Sequence, residues 1–134
     1  MTPIYEYKMK VRDYECDAQG IVNNANYQHY YEVARHEFLE EHGLNFYEMH
    51  ESGTDAVVTS VYIQYKHSLR GANEFICTVD SVEKEGIRII FNQKIVRLKD
   101  NKVCSIAKVE TVCVVNGNLR RPEILEQALA KYLE

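Results

Sequence analysis

The sequence predicts an α+β domain: an antiparallel five-stranded sheet wrapped around one long helix, with a short C-terminal helix. Three observations carry this. A strand-like segment opens the chain, one long segment of helical period follows, and four strand-like segments then succeed one another with only short turns between them. Strands joined by short turns pair antiparallel, and a lone early helix must cover one face of their sheet.

The elements follow in order. Residues 4–12 (IYEYKMKVR) alternate, with Tyr5, Tyr7, Met9 and Val11 on one face and Glu6, Lys8, Lys10 and Arg12 on the other, the period of a half-buried strand. Residues 13–23 (DYECDAQGIVN) break the alternation and contain Gly20, which predicts a loop. Over 24–42 the apolar positions Tyr27, Tyr31, Ala34 and Phe38 recur at helical spacing, flanked by Tyr30 and Leu39. Asn23 is placed to cap this helix and His42-Gly43 to end it. The width of the stripe predicts that this is the most buried helix.

Residues 44–54 read as a connection with room for one helical turn. Strands are predicted at 55–67, 73–84, 87–99 and 102–115, with Val57, Val61, Ile63 and Tyr65 on one face of the first. Gly71, Gly86, Asp100-Asn101 and Asn116-Gly117 mark the turns. Pro122 opens a short helix with Ile124, Leu125, Ala128, Leu129 and Tyr132 on its apolar side.

A length of 134 residues sets one domain, 1–134, with a small core that a buried interface between copies would help. Hydrophobic residues make up 46% and charged residues 27%, too apolar for disorder. The net charge of −4 argues against a nucleic-acid partner, which needs a basic footprint. No apolar run approaches the roughly 18 residues of a membrane span, so no membrane partner is expected. MTPIYEYKMK lacks the apolar core of a signal peptide, and a cytoplasmic location is expected. Cys16, Cys77, Cys104 and Cys113 form no C-x-x-C pair; the last three sit in apolar strands and read as small buried hydrophobes.

The loop before the long helix holds the chemistry. Asp17 stands seven residues before the helix, with Gly20 free to turn the backbone back toward the helix N-terminus. That terminus presents free N–H groups and partial positive charge. A carboxylate beside such donors suits acyl transfer: the donors hold a developing oxyanion while the carboxylate attacks or activates water. The ordinary role of an aspartate in a polar loop is turn formation, and that of Asn-Asn before a helix is capping.

Asp17-x-x-Gly20-Ile21-Val22-Asn23-Asn24-x-x-Tyr27, followed by Tyr31-Glu32-x-x-Arg35, resembles the signature of hotdog-fold acyl-CoA thioesterases of the 4-hydroxybenzoyl-CoA thioesterase family, and also the related loop of acyl carrier protein thioesterases. Ile63-x-Tyr65 and the basic stretch from Lys66 toward Glu74 resemble the family's second half. The resemblance implies a hotdog fold. It makes Asp17 nucleophile or general base, has the backbone amide of Asn24 polarise the thioester carbonyl, and puts the site at an interface of a homodimer or dimer of dimers. Two departures concern acyl preference and CoA contacts. Ile21, Asn23 and Asn24 stand where relatives carry histidine or an aromatic residue, and Ser68 and Asn73 where relatives often carry proline and aspartate.

With that chemistry no metal or redox cofactor is expected, because a thioester is already activated toward attack. Gly20 and Tyr27 of the motif, with Lys66, His67, Arg70 and Arg88 as a basic patch for CoA phosphates, are the expected substrate contacts. Phe46, Tyr47, Met49, Val57 and Val58 are expected to wall the acyl pocket, the alternative being that Phe46 and Met49 only plug the core. Glu32 and Arg35, three apart on the helix, read as a surface ion pair, whereas the resemblance suggests that they brace the active loop; a structural role is expected for both. His29 and His36 have no metal partner at suitable spacing, and Cys16 no histidine to activate it. The alternatives to acyl-CoA hydrolysis are hydrolysis of acyl carrier protein thioesters, disfavoured by the negative charge; a non-catalytic acyl-CoA binding module; and a dehydratase, for which the loop offers no histidine.

Overall fold

The first strand, β1 (Tyr5–Lys10), keeps the predicted alternation, with Tyr5, Tyr7 and Met9 turned inward. The computed structural model describes residues 2–133. After β1 come a 3₁₀ turn (Asp13–Glu15), α1 (Asn24–Glu41) and α2 (Phe46–Glu51). Strands β2 (Thr54–Tyr65), β3 (Glu74–Val79), β4 (Ser81–Glu85), β5 (Arg88–Arg97), β6 (Lys102–Val115) and β7 (Asn118–Arg120) follow, and then α3 (Glu123–Ala128).

All strands join one antiparallel sheet in the order β1-β3-β5-β6-β2, with β4 continuing beside β5 and β7 beside β6. The sheet thus has seven strands where five are predicted. The predicted strand 73–84 breaks at Asp80. Cys77 opposes Ile95 while Ser81 opposes Asn92, so four steps on one side face three on the other, a bulge. The Asp80 carboxylate holds the kink by accepting from the Thr78 hydroxyl and the Lys94 ammonium, both at 2.8 Å. Asn116-Gly117, both at positive φ, turn the chain into the extra strand β7.

Helix α1 lies on β1, β3 and β5. Tyr27, Tyr30, Tyr31, Ala34, Phe38 and Leu39, the predicted stripe, are all buried. Each large side chain so buried contributes about 1.5–3 kcal/mol. The Asn23 side chain accepts from the Ala25 N–H, and His42 Nδ1 meets the Phe38 carbonyl before Gly43 turns left-handed at φ 82°. α2 and α3 are short; Pro122 sits at the cap of α3, one position before its first turn. Among the described residues no helix is long and apolar enough to cross a membrane.

Strand β2 corrects the predicted face. A bulge at Thr59 sets Val58 opposite Thr111 and Val61 opposite Val109. Val58, not Val57, therefore shares a face with Val61, Ile63 and Tyr65. β2 is also a sheet edge, and Val57, Val58, Val61, Tyr62 and Tyr65 stand exposed along it.

Candidate active site

Glu15 anchors the start of α1. Its carbonyl accepts from the Asn23 N–H (3.0 Å) and the Asn26 side-chain amide (2.8 Å). Its carboxylate accepts from the Arg12 N–H and the Tyr30 hydroxyl, both at 2.7 Å. Burial, with that carboxylate beside it, pushes the Tyr30 pKa well above its ordinary value. Cys16 bridges to Val22, Ile21 bridges to Arg70, and the Val22 N–H donates to the Leu69 carbonyl at 2.8 Å, so the loop is zipped onto the segment that follows β2.

Asp17 opens the turn at the loop tip. Its carbonyl accepts from the Gly20 N–H (3.0 Å) and its carboxylate from the Gln19 N–H (2.8 Å). Gly20 takes φ 78°, a conformation a side chain would strain. The turn-forming role of Asp17 is therefore present, and its side chain stands exposed beside the loop.

At the head of α1 the Ala25 N–H goes to the Asn23 side chain and the Asn26 N–H to the Asn23 carbonyl. The Asn24 N–H has no acceptor among the described residues. Asn24, Tyr27, Tyr65, Lys66, His67 and Ser68 line a cleft of about 160 Å³ there. The Tyr65 ring meets Tyr27 edge-on at 5.1 Å. The Tyr27 hydroxyl accepts from the Leu69 N–H at 3.2 Å, and burial raises its pKa. Arg97 clamps the cleft wall by donating to the Ser68 carbonyl at 2.7 Å. Of the expected contacts, Asn24, Tyr27, Lys66 and His67 come together in this cleft, and Arg70 adjoins it through Ile21. Asp17 and Gly20 lie on the adjacent turn, outside the lining. Arg88 is not brought near: it begins β5, at the opposite end from the Arg97 clamp, and pairs with Glu110 at 3.7 Å.

A second cavity, of about 370 Å³, lies between α1 and the start of β2. Phe46, Val57 and Val58 line it, together with Glu32, Arg35 and His36. Of the other expected pocket residues, Tyr47 is 71% exposed and Met49 is 4% exposed in the core; neither lines this cavity. His36 packs against Phe46 with ring centroids 3.9 Å apart, and burial lowers its pKa. Arg35 forms no surface ion pair with Glu32 and does not brace the loop: it is buried and donates to Gln93 Oε1 at 3.1 Å. Sequence reasoning missed Gln93. The signal was its place among Ile89, Phe91 and Ile95, a polar residue on the buried face of an alternating strand. No three metal-ligating side chains converge among the described residues.

The pattern of the Thioesterase-like superfamily matches residues 11–132. The chain is 33% identical to acyl-acyl carrier protein thioesterase ATL3 of Arabidopsis thaliana over 122 residues, 91% of this chain and 63% of that protein. It spans less than two thirds of the length of ATL3 and of its companion ATL2. It is 32% identical to a putative esterase of Aquifex aeolicus over 84% of this chain and 87% of that one. To the acyl-CoA thioester hydrolase YbgC of Escherichia coli it is 26% identical over 84% of each. The fold resembles the probable thioesterase YbaW of Escherichia coli (TM-score 0.82, 25% identity, 97% and 99% covered). It also resembles a DHNA-CoA thioesterase of Staphylococcus aureus (TM-score 0.85, 19% identity, 94% and 88% covered). The seven-stranded antiparallel sheet packed on α1 and these likenesses over nearly the whole chain agree: this chain belongs to the Thioesterase-like superfamily.

Proposed function

We propose that this protein hydrolyses acyl-CoA thioesters to the free carboxylic acid and CoA. The observation that carries the reading is the unpartnered Asn24 N–H at the head of α1, on a cleft next to the Asp17 turn. A thioester carbonyl set against that N–H and the positive end of the helix is polarised, and the oxyanion formed on attack is held there. Asp17 either removes a proton from the attacking water or attacks the carbonyl itself, giving an anhydride that water then opens. The thiolate of CoA leaves and takes up a proton. Lys66, His67 and Arg70, exposed around the cleft, suit the CoA phosphates.

The homodimer belongs to the same reading. β2 is an uncovered edge of twelve residues with an apolar surface, the kind of edge that pairs with another strand. A two-fold antiparallel pairing of two such edges sets the Val57–Val58 end of one beside the Tyr65 end of the other. The second cavity of each protomer then adjoins the helix head of its partner, which suits it to receive the acyl chain. The same pairing is compatible with two dimers packing as a tetramer.

The name of the plant relatives favours a second reading, hydrolysis of acyl carrier protein thioesters. The net charge of −4 opposes docking of an acidic carrier. Wild-type and Asp17→Asn proteins assayed on matched acyl-CoA and acyl carrier protein substrates decide. The proposal expects kcat/KM to favour CoA and kcat to fall by about 10²-fold or more in the variant with its melting temperature little changed. Full turnover by Asp17→Asn removes Asp17 from the chemistry. Tight acyl-CoA binding without hydrolysis by the wild type makes the protein a binding module.

A further inference from the structure

The second cavity has apolar walls, which methylenes require, but its floor carries a charge. Arg35 is 7% exposed, and no carboxylate lies within ion-pair distance of it among the described residues. Its only acceptor among them is the neutral Gln93 Oε1. Gln93 is fixed in that orientation because its Nε2 donates to the Tyr31 carbonyl at 3.2 Å and the Thr78 carbonyl at 3.1 Å. One of the five guanidinium N–H groups is thereby used.

The unused ones are not sealed away. Among the described residues every fully inaccessible side-chain nitrogen or oxygen has a partner, so the unbonded Nε and Nη2 of Arg35 retain access, and the cavity is the space that Arg35 lines. The rim is formed by exposed Glu32, Val57 and Val58, and the floor by buried Arg35, Phe91 and Leu125. A chain entering from the rim therefore runs toward a floor on which Arg35 is the charged group, beside Phe91 and Leu125. A guanidinium stays charged through such burial and is satisfied only by oxygen acceptors.

We infer that Arg35 is a specificity determinant that receives an oxygen at the far end of the acyl group, so that acyl chains ending in a hydroxyl or a carboxylate are preferred over plain alkyl chains. This rests on the thioesterase reading above. Both termini supply the same acceptor chemistry. Glu32 at the rim offsets part of the charge, which suits a neutral oxygen; a carboxylate forms the paired contact that Arg35 lacks.

The test compares kcat/KM for plain, ω-hydroxy and ω-carboxy acyl-CoAs matched at six, eight and ten carbons. The wild type is expected to favour an oxygenated chain by about tenfold or more at one length, and the hydroxy and carboxy arms identify the terminus. Arg35→Met is expected to abolish that preference, and Arg35→Lys to retain part of it. Plain chains equal to or better than both oxygenated ones at every length overturn the inference, as does an Arg35→Met loss of the same factor on all three. If Arg35→Met fails to fold, the wild-type ranking and Arg35→Lys decide. If no thioester is turned over, the thioesterase reading fails, and calorimetry with the same uncleaved acyl-CoAs still reads the inference. Tighter binding of an oxygenated acyl-CoA supports it, and equal or no binding overturns it.

Discussion

The Tyr65 hydroxyl donates to the backbone carbonyl of Asn24 at 3.3 Å, tying the last residue of the exposed edge strand to the first residue of the long helix. The residue whose N–H is proposed to polarise the substrate is thus tethered through its own carbonyl to the strand proposed to pair between protomers. Removing the tether loosens the helix head without opening the core, because Tyr65 is exposed. Tyr65→Phe is expected to lower kcat by roughly 3- to 10-fold while the melting temperature shifts by no more than the few degrees that about 1 kcal/mol represents. Steady-state kinetics and a thermal melt on the same preparation check this.

Phe46 and Met49 lie three residues apart on one short helix and face different environments. Phe46 lines the second cavity, whereas Met49 is buried in the core. Phe46→Ala is expected to shift the preferred acyl length upward with a modest loss of stability. Met49→Ala is expected to cost about 2–5 kcal/mol and leave the ranking of substrates unchanged. Chain-length profiles and denaturant melts of both variants separate the two effects.

Val61 and Tyr62 sit near the middle of the β2 edge, and Tyr62 is 62% exposed. A lysine on an edge strand blocks pairing with another strand. Wild-type protein is expected to sediment as the proposed dimer, and Val61→Lys as a monomer with lower activity. A wild-type protein that sediments as a stable, active monomer at low micromolar concentration contradicts the edge-to-edge assembly.

Arg97 donates to both carboxylate oxygens of Asp100, at 3.0 and 2.7 Å, while holding the Ser68 carbonyl at the cleft. The hydrogen bonds from Arg97 hold the Asp100 carboxyl down from its ordinary 3.8 to about 2. A depressed carboxylate contributes stability above its unfolded pKa, and that contribution fades as pH falls from 3.8 toward about 2. The clamp is therefore intact at neutral pH. Titration of Asp100 by carboxyl NMR is expected to give a midpoint near 2 in the wild type and one nearer the ordinary value in Arg97→Ala.

The sequence by itself determined the elements and their order. The spacing of Tyr27, Tyr31, Ala34 and Phe38 specified which face of α1 is buried, and Asn23 and His42 specified its ends, because caps and amphipathic stripes depend on residues within one or two turns. The loop geometry from Asp17 to Tyr27 was legible for the same reason: its turn, bridge and cap are contacts within a short stretch, apart from the zip to Leu69 and Arg70. Only the tertiary structure decided what depends on register. The bulge at Thr59 moved Val58 to the face expected for Val57, and the bulge at Asp80 divided one predicted strand into two; a one-residue shift reverses every side chain beyond it. The burial of Arg35 against Gln93, 58 residues away, and the separation of Arg88 from the cleft likewise follow from which strands became neighbours. Local spacing determines how an element faces. What it faces is settled when the sheet packs on α1, which sets Arg35 of α1 beside Gln93 of β5 and leaves Arg88 at the far end of that strand.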